Sequence, residues 1–447
     1  MSVLLAAVLV AGLGVAGAVA YDAGRLNPLV CGGPCGPEAV AAPEQITRAV
    51  SVDPVEATAQ QSGPVDENAL RAAVEPALRD EALGDRLGLA VVGADGTTVL
   101  ERDAGAAFVP ASTTKVLVTY AALQTMDPQT RFATRTVLVG DRVVLVGGGD
   151  PYLEDDDLEQ LAAETATALA ARGIEDATLG YDTSLFEGPT ASPAWEDFYV
   201  PEQIVTPVSP LWVERGIEED GRRATAPGRA AAQRFATLLR DAGAPVRGDP
   251  RQVEAPELAT GLGEVESATL ADVVDRILLV SDNEAAEVLL RHVALATGRE
   301  GSFAGGTAAV QATLEEAGVP TAGLVLTDGS GLSRANRITP VTLARTLQGA
   351  DARASTSRLL VDLPVAGLTG TLARRYADSD DEAGRGLVRA KTGTLTGVHS
   401  LAGYAVDRRG VPLYFAVMTD ATDETTGLRT QEALDTIASA IASCACA

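Results

Sequence analysis

Lysine is nearly absent from this chain. Of its 447 residues 35 are basic, 33 of those are arginine, and the only lysines are Lys115 and Lys391. An arginine cannot give up its proton near neutral pH, whereas an amine can. A lysine kept in so arginine-rich a chain therefore marks a place that needs an amine able to titrate. Histidine is equally scarce: His292 and His399 are the whole supply, and neither stands in a context that suggests a Ser-His-Asp triad. Positive charge is short overall. With 61 acidic residues the formal net charge is −26, which argues against nucleic acid or an anionic membrane surface as a partner, because phosphate would be repelled. A local basic pocket remains compatible with that balance. The body of the chain lacks cysteine. Cys31 and Cys35 lie near one end, Cys444 and Cys446 at the other. In an exported protein they can pair in any of three ways, a bridge between the termini among them. A metal site is the weaker reading, since both histidines lie far from either pair, and no metal or cofactor is expected.

One long hydrophobic run is present, from Val3 to Ala20, with a small-residue pattern at Ala18-Val19-Ala20. No Lys or Arg precedes it. Residues 1–21 read as an export signal or a membrane anchor, the choice being open. Residues 22–66, rich in Pro, Gly, Ala and Gln, read as a linker. A globular pattern follows over 67–150 and resumes over 262–447. Between them, 151–261 changes texture, with an acidic helix, both tryptophans and many prolines, and reads as an inserted domain. Helices are expected over Leu70–Leu83, Thr113–Met126, Leu153–Arg172, Leu270–Val280, Asn283–Ala296 and Ala433–Ala442. Gly88–Leu100 reads as a hairpin around Asp95-Gly96. Strands are expected at Thr134–Val139, Asp141–Val146, Leu387–Lys391, Ser400–Val406 and Leu413–Met418. Strands at both ends with helices between them predict an α+β core built from the two ends of the chain.

Three short motifs carry chemistry. In Ser112-Thr113-Thr114-Lys115 the serine and lysine are three apart, which puts them on one face of a helix. A serine hydroxyl needs a base, and Lys115 can be that base only as a neutral amine. Lowering a lysine from roughly 10.4 to near neutrality takes about 4 kcal/mol of differential stabilisation, which burial and a second cation would supply. Taken alone, the motif reads more readily as a serine cap followed by a surface lysine, and the scarcity of lysine shifts that balance. Ser281-Asp282-Asn283 lies between two helices, and here Ser281 with Glu284 also fits a capping box. If the turn is extended, Ser281 and Asn283 point one way and Asp282 the other. Lys391-Thr392-Gly393-Thr394 reads as strand, with Lys391 and Gly393 on one face and Thr392 and Thr394 on the other. Gly393 leaves room for a ligand against the backbone. The backbone N–H groups of Ser112 and Thr394 can form an oxyanion hole. A protective lysine on an edge strand is the plainer reading of this motif.

Taken together, in the order SxxK, SxN, KTG, the three resemble the set found in penicillin-recognising serine acyl-transferases. Within them the chain resembles the D-Ala-D-Ala carboxypeptidase/endopeptidase family, peptidase family S13, of low-molecular-mass penicillin-binding proteins. The strings PASTTKVL (110–117), VGGGDPYL (146–153), SDNEAAE (281–287), TDGSGLSRANRITP (327–340) and KTGTLTGVHSLAGY (391–404) carry the likeness, which covers about 68–443. The resemblance implies a penicillin-binding, β-lactamase-like α+β fold, an antiparallel sheet flanked by helices, with an insertion between SxxK and SxN. The 169 residues from Ser112 to Ser281 leave room for one. It implies Ser112 as the acyl-ester nucleophile and Lys115 as its base. Ser281 and Asn283 would assist proton transfer and substrate positioning. Lys391 and Thr392 would hold the substrate's terminal carboxylate beside Gly393 and Thr394. Peptidoglycan stem peptides would be the substrates and β-lactams the inhibitors, the site of action being the cell envelope of a bacterium, outside the cytoplasm.

The alternatives are a serine β-lactamase and a non-catalytic envelope protein. A β-lactamase would need a glutamate poised over the ester, and the insertion offers Glu154, Glu187, Glu196 and Glu202 without a matching local motif. Asp328-Gly329-Ser330-Gly331 reads as a turn. Arg337 is a candidate reader of a substrate carboxylate, His399 a structural or cleft-edge residue. Trp195 and Trp212 are expected to pack the insertion.

Overall fold

A computed structural model describes residues 65–256, 258–377 and 381–446. The first element among the described residues is helix α1 (Glu67–Val74), whose cap is Asp66, its carboxylate accepting from the N–H of Asn68 and Ala69. Pro76 stops the expected longer helix, and two 3₁₀ turns, Ala77–Arg79 and Glu81–Leu83, carry the chain on. Strands β1 (Leu87–Val92) and β2 (Thr98–Arg102) form the hairpin over Asp95-Gly96, with Gly96 at φ 82. Helix α2 (Thr114–Thr125) follows. Strands β3 (Ala133–Val139) and β4 (Arg142–Val146), helix α3 (Asp155–Ala170), strand β5 (Ala177–Asp182), helix α4 (Pro227–Asp241) and strands β6 (Val246–Gln252) and β7 (Thr260–Glu266) come next. Five helices succeed them: α5 (Leu270–Val280), α6 (Asn283–Ala296), α7 (Phe303–Glu316), α8 (Pro340–Asp351) and α9 (Arg358–Val361). Strands β8 (Val388–Leu395), β9 (Val398–Val406) and β10 (Pro412–Thr419) and helix α10 (Gly427–Ser443) close the chain.

The strands make two sheets. The first, in order β2-β1-β10-β9-β8, is antiparallel throughout and joins the two ends of the globular part through the β1–β10 pairing. Both of its faces are covered, which is why the central strands β1 and β10 are buried on both sides along nearly their whole length. Leu413, Phe415 and Val417 of β10 pack with Leu434, Ile437 and Ile441 of α10. The alternate residues Tyr414, Ala416 and Met418 pack toward α2 and α8. Each fully buried Leu or Phe contributes about 1.5–3 kcal/mol, so this double-faced core holds the ends together. Helix α2 runs through the middle of the helical layer, buried from Thr114 to Leu123.

The second sheet, in order β6-β5-β4-β3-β7, is mixed and packs on α3 and α4 around its own apolar cluster. It reaches back beyond the boundary expected at 150, because β3 and β4 pair with β7 and β5 and not with the first sheet. Its ends meet: Ala133 pairs with Glu266, and Ser267 N–H donates to Phe132 O at 2.9 Å. The tryptophans are a correction. Trp195 and Trp212 both belong to the core around α2 and not to the cluster of the second sheet. Trp195 reaches it because its indole N–H has a partner there, Asp328, at 2.9 Å. Cys444 pairs with Cys446, so neither takes part in the bridge between the termini that the sequence allowed. Cys31, Cys35, the apolar run 1–21 and the linker up to 64 lie outside the described residues. Among the described residues no helix is long and apolar enough to cross a membrane.

Candidate active site

Ser112 sits in a 3₁₀ turn, Ala111–Thr113, that leads into α2. Ala111 has φ 48, a left-handed conformation that a residue with a Cβ adopts only when its surroundings enforce it. Enforcement is visible. The hydroxyls of Thr113 and Ser400 both donate to Pro110 O, at 2.7 and 2.6 Å, and Thr114 Oγ1 donates to Ala111 O at 2.9 Å. Ser400 comes from β9, so the nucleophile's turn is tied to the sheet. Gly331 approaches from the other side, where a Cβ would stand 1.9 Å from Ala111 O.

One turn into the helix, the Lys115 side chain is wholly buried. Its Nζ lies 3.0 Å from Ser112 Oγ, 2.8 Å from Asn283 Oδ1 and 2.7 Å from Ser330 O. Burial lowers the amine to about 8, against the pull of Glu287, Asp328, Asp282 and Glu284, which raise it. The three contacts are the three directions an ammonium can donate. A neutral amine has two hydrogens, which suit the carbonyl oxygens of Asn283 and Ser330. Its lone pair then faces the Ser112 hydroxyl.

The SxN segment departs from expectation in its local form. Ser281 is not a cap of α6. It ends α5 in a left-handed conformation, φ 62 and ψ 39, and Asp282 caps α6 by accepting from Ala285 N–H at 3.0 Å. Glu284 is likewise not a capping partner, because it pairs with Arg223 at 2.9 Å. Ser281 Oγ is therefore available to accept from Lys391 Nζ at 2.8 Å, while Asn283, opening α6, reaches Lys115. Asp282 points away to Arg215, 3.1 Å off.

The KTG residues lie inside β8, where the expected strand ran only to Lys391. Lys391 and Gly393 are buried, Thr392 half-buried and Thr394 exposed, as strand alternation requires. A Cβ on Gly393 would stand 2.6 Å from Pro110 O and 3.2 Å from Ser112 N, so β8 lies directly against the nucleophile's turn. Thr392 Oγ1 donates to Thr371 Oγ1 at 2.9 Å. Lys391 Nζ also donates to the carbonyl of Thr392, at 2.9 Å. Burial first, and the charge of Lys115 second, push the Lys391 amine well below its ordinary range. The main cause of the lowered Lys115 is burial; it is Lys391 that the neighbouring cation depresses.

Two residues near the base escaped the sequence reading. Ser330, assigned only to a turn, presents its carbonyl to Lys115. Glu287, the last letter of SDNEAAE, is fully buried and accepts N–H bonds from Gly329 and Ser330, both at 2.8 Å. A glutamate one turn beyond SxN on a buried helix face was the available signal. The turn is fixed again by Asp328, whose carboxylate takes Gly331 N–H, Ser333 N–H and the Asn336 amide at 3.0, 2.7 and 2.6 Å. Arg337 turns one guanidinium nitrogen, Nη1, onto its own loop, donating to the carbonyls of Arg334 and Asn336. His399 is buried on β9, opposite Thr394 and Thr419. His292 stacks on Phe132 with ring centroids 3.8 Å apart and bonds Gly149 O. Glu154, Glu187, Glu196 and Glu202 are all exposed, Glu154 as the cap of α3.

The architecture defines a class first: an α+β penicillin-binding core carrying an extra mixed sheet. It superposes on the crystal structure of penicillin binding protein 4 from Haemophilus influenzae with a TM-score of 0.69 at 21% identity, over 83% of this chain and 98% of that one. The chain belongs to the D-Ala-D-Ala carboxypeptidase 3 (S13) family, whose model matches residues 70–228 and 218–441. It is 35% identical over 395 residues to the carboxypeptidase DacB of Mycolicibacterium smegmatis, covering 84% of each chain. A carboxypeptidase of Mycobacterium tuberculosis is 34% identical over 397 residues, with the same coverage.

Proposed function

We propose that this D-Ala-D-Ala carboxypeptidase works through an acyl-enzyme on Ser112, with neutral Lys115 as the base. The observation that carries the reading is the placement of Lys115 Nζ against two carbonyl acceptors, Asn283 Oδ1 and Ser330 O, with Ser112 Oγ as its third neighbour, which turns the lone pair of the neutral amine toward the Ser112 hydroxyl. Ser112 Oγ attacks the carbonyl of the penultimate D-alanine of a peptidoglycan stem peptide as its proton passes to Lys115. The N–H groups of Ser112 and Thr394 stabilise the oxyanion. The proton then goes to the departing D-alanine amine, by way of Ser281 or directly from Lys115, and the C–N bond breaks. Water hydrolyses the ester with the same base. Asn283 holds the substrate amide and Lys115 together.

Lys391, with Thr392 and Gly393, receives the terminal carboxylate. An arriving carboxylate offsets both the burial and the neighbouring Lys115 charge that depress Lys391. The pocket is thus built to take up a proton together with its anion. A β-lactam, whose carboxylate and strained amide occupy the same positions, acylates the same serine. Action takes place outside the cytoplasm, and residues 1–21 serve as export signal or anchor. Residues 133–266, whose ends meet beside Phe132 and Ser267, form the inserted domain.

The test is release of D-alanine from a muramyl pentapeptide by wild type and by Ser112→Ala. Release that is lost in the variant supports the reading; equal release contradicts it. A cross-linked dimeric stem peptide, assayed in parallel, separates carboxypeptidase from endopeptidase action.

A further inference from the structure

Two buried lysines share this site, yet they are embedded differently. Lys391 is pushed far down by burial and by its cationic neighbour. Lys115, equally buried, faces the acidic groups Glu287, Asp328, Asp282 and Glu284, which raise it against burial, while the Lys391 amine across the site is itself depressed by the charge of Lys115. Three of those acids are occupied elsewhere. Asp282 caps α6 and pairs with Arg215, Glu284 pairs with Arg223, and Asp328 holds the turn 328–336 and the indole of Trp195. Glu287 is different. No arginine or lysine pairs with it among the described ion pairs. Its two oxygens take the N–H of Gly329 and of Ser330, and the carbonyl of that same Ser330 takes a hydrogen from Lys115 at 2.7 Å. Both oxygens accepting is the arrangement of a carboxylate, although burial and the charge of Asp328 raise this group to about 8, level with Lys115. Two buried cations feel its charge, Arg291 four residues on along α6 and the Lys115 amine, and only the amine also touches the peptide that Glu287 holds.

We propose that Glu287 is a positioning residue for the acyl transfer: it clamps the 329–330 peptide against Lys115 and lends the buried amine the negative charge that keeps it a competent base. This rests on the reading of Lys115 as the base of Ser112. The physical need is clear. A lysine buried without a compensating acid falls to roughly 5–6. Such an amine is neutral at every working pH but too weakly basic to draw a proton from serine. A general base works best when it titrates near the operating pH. Glu287 moves Lys115 into that range, and the two groups then titrate as a pair. The clamp adds direction, because a carbonyl fixed at Ser330 leaves the lone pair facing Ser112.

The chain's lysine poverty makes this directly measurable. Protein labelled with ¹³C at lysine Cε gives two resonances, which Lys391→Arg assigns. In Glu287→Gln, which keeps the shape and removes the charge, the Lys115 midpoint should fall by about one pH unit or more. The acidic limb of Ser112 acylation by penicillin should move down with it, and the alkaline plateau should drop several-fold as the base weakens. Glu287→Asp, which keeps the charge but withdraws it, should give a smaller displacement in the same direction and serves if the glutamine variant does not fold. A purely structural role would lower the plateau and leave both midpoint and limb unmoved, and that result overturns the proposal. Failure of the underlying reading looks different: in wild type the acylation limb would not follow the Lys115 resonance at all.

Discussion

At the scale of single residues, the site is governed by where protons sit on two amines. Lys115 stands at about 8, lowered chiefly by burial. Below that value the amine is protonated and cannot accept from Ser112; above it the amine is free. The acylation rate should therefore rise about tenfold per pH unit up to roughly 8 and level off beyond, a profile readable from penicillin acylation in a series of buffers. Lys391→Arg keeps a cation facing the substrate carboxylate but cannot reproduce the compact contact with Ser281. We expect a loss within about tenfold, mostly in KM, that is about 1.4 kcal/mol or less. A loss confined to kcat would contradict a carboxylate-binding role. These residues were legible because lysine is so rare here, and SxxK, SxN and KTG together point to one chemistry. Glu287 and Ser330 were not. Glu287 stands one turn past Asn283, a spacing that marks it only once α6 is known to be buried on that face, and Ser330 acts through its backbone carbonyl, which any residue possesses.

The next scale is that of the elements that present those residues. The hairpin, the helices α5 and α6 and the strands β8 to β10 are legible because their apolar runs are long and bounded by turn residues. Their ends are less so. The helix expected to Leu83 stops at Val74 because of Pro76, and β8 continues through KTG because its register with β9 outweighs the weak strand preference of Gly393. The capping of α6 by Asp282 and not by Ser281 was also hidden, since both residue types cap helices equally well. At Gly393 the element and the chemistry meet. A Cβ there would stand 2.1 Å from Ser400 Oγ and 2.6 Å from Pro110 O, and the latter is backbone. Gly393→Ala should displace β8 from the nucleophile's turn and reduce acylation by at least about a hundredfold, some 2.7 kcal/mol, while the secondary structure seen by circular dichroism persists. An alanine variant with wild-type acylation would show that this close approach is not needed.

At the largest scale, the globular part over 65–446 is a sheet joined from its two ends through β1 and β10 and interrupted by a second sheet. The family and the α+β class were legible in the order of the motifs. The limits of the insertion were not, because β3 and β4 read as ordinary strands and only their hydrogen bonds show which sheet they join. The two boundaries make different predictions. Replacing 133–266 by a short loop between Phe132 and Ser267 should leave a soluble core of reduced stability, since Trp195 and Trp212 leave the core with the segment. Removing 151–261 should leave β4 with the bare edge where β5 paired it, and β3 and β7 without α3 and α4 to cover them, and give aggregate, which size-exclusion chromatography distinguishes. The reverse outcome would put the boundary back at 150.

The account turns on Lys115 as an amine able to lose its proton, and one measurement tests that most directly. Wild type and Lys115→Arg are incubated with penicillin near pH 8 and their intact masses followed in time. The account predicts one penicillin adduct on Ser112 in wild type and a rate lower by roughly 10²–10⁴-fold in the arginine variant, despite its retained charge. Acylation of Lys115→Arg at the wild-type rate would contradict it.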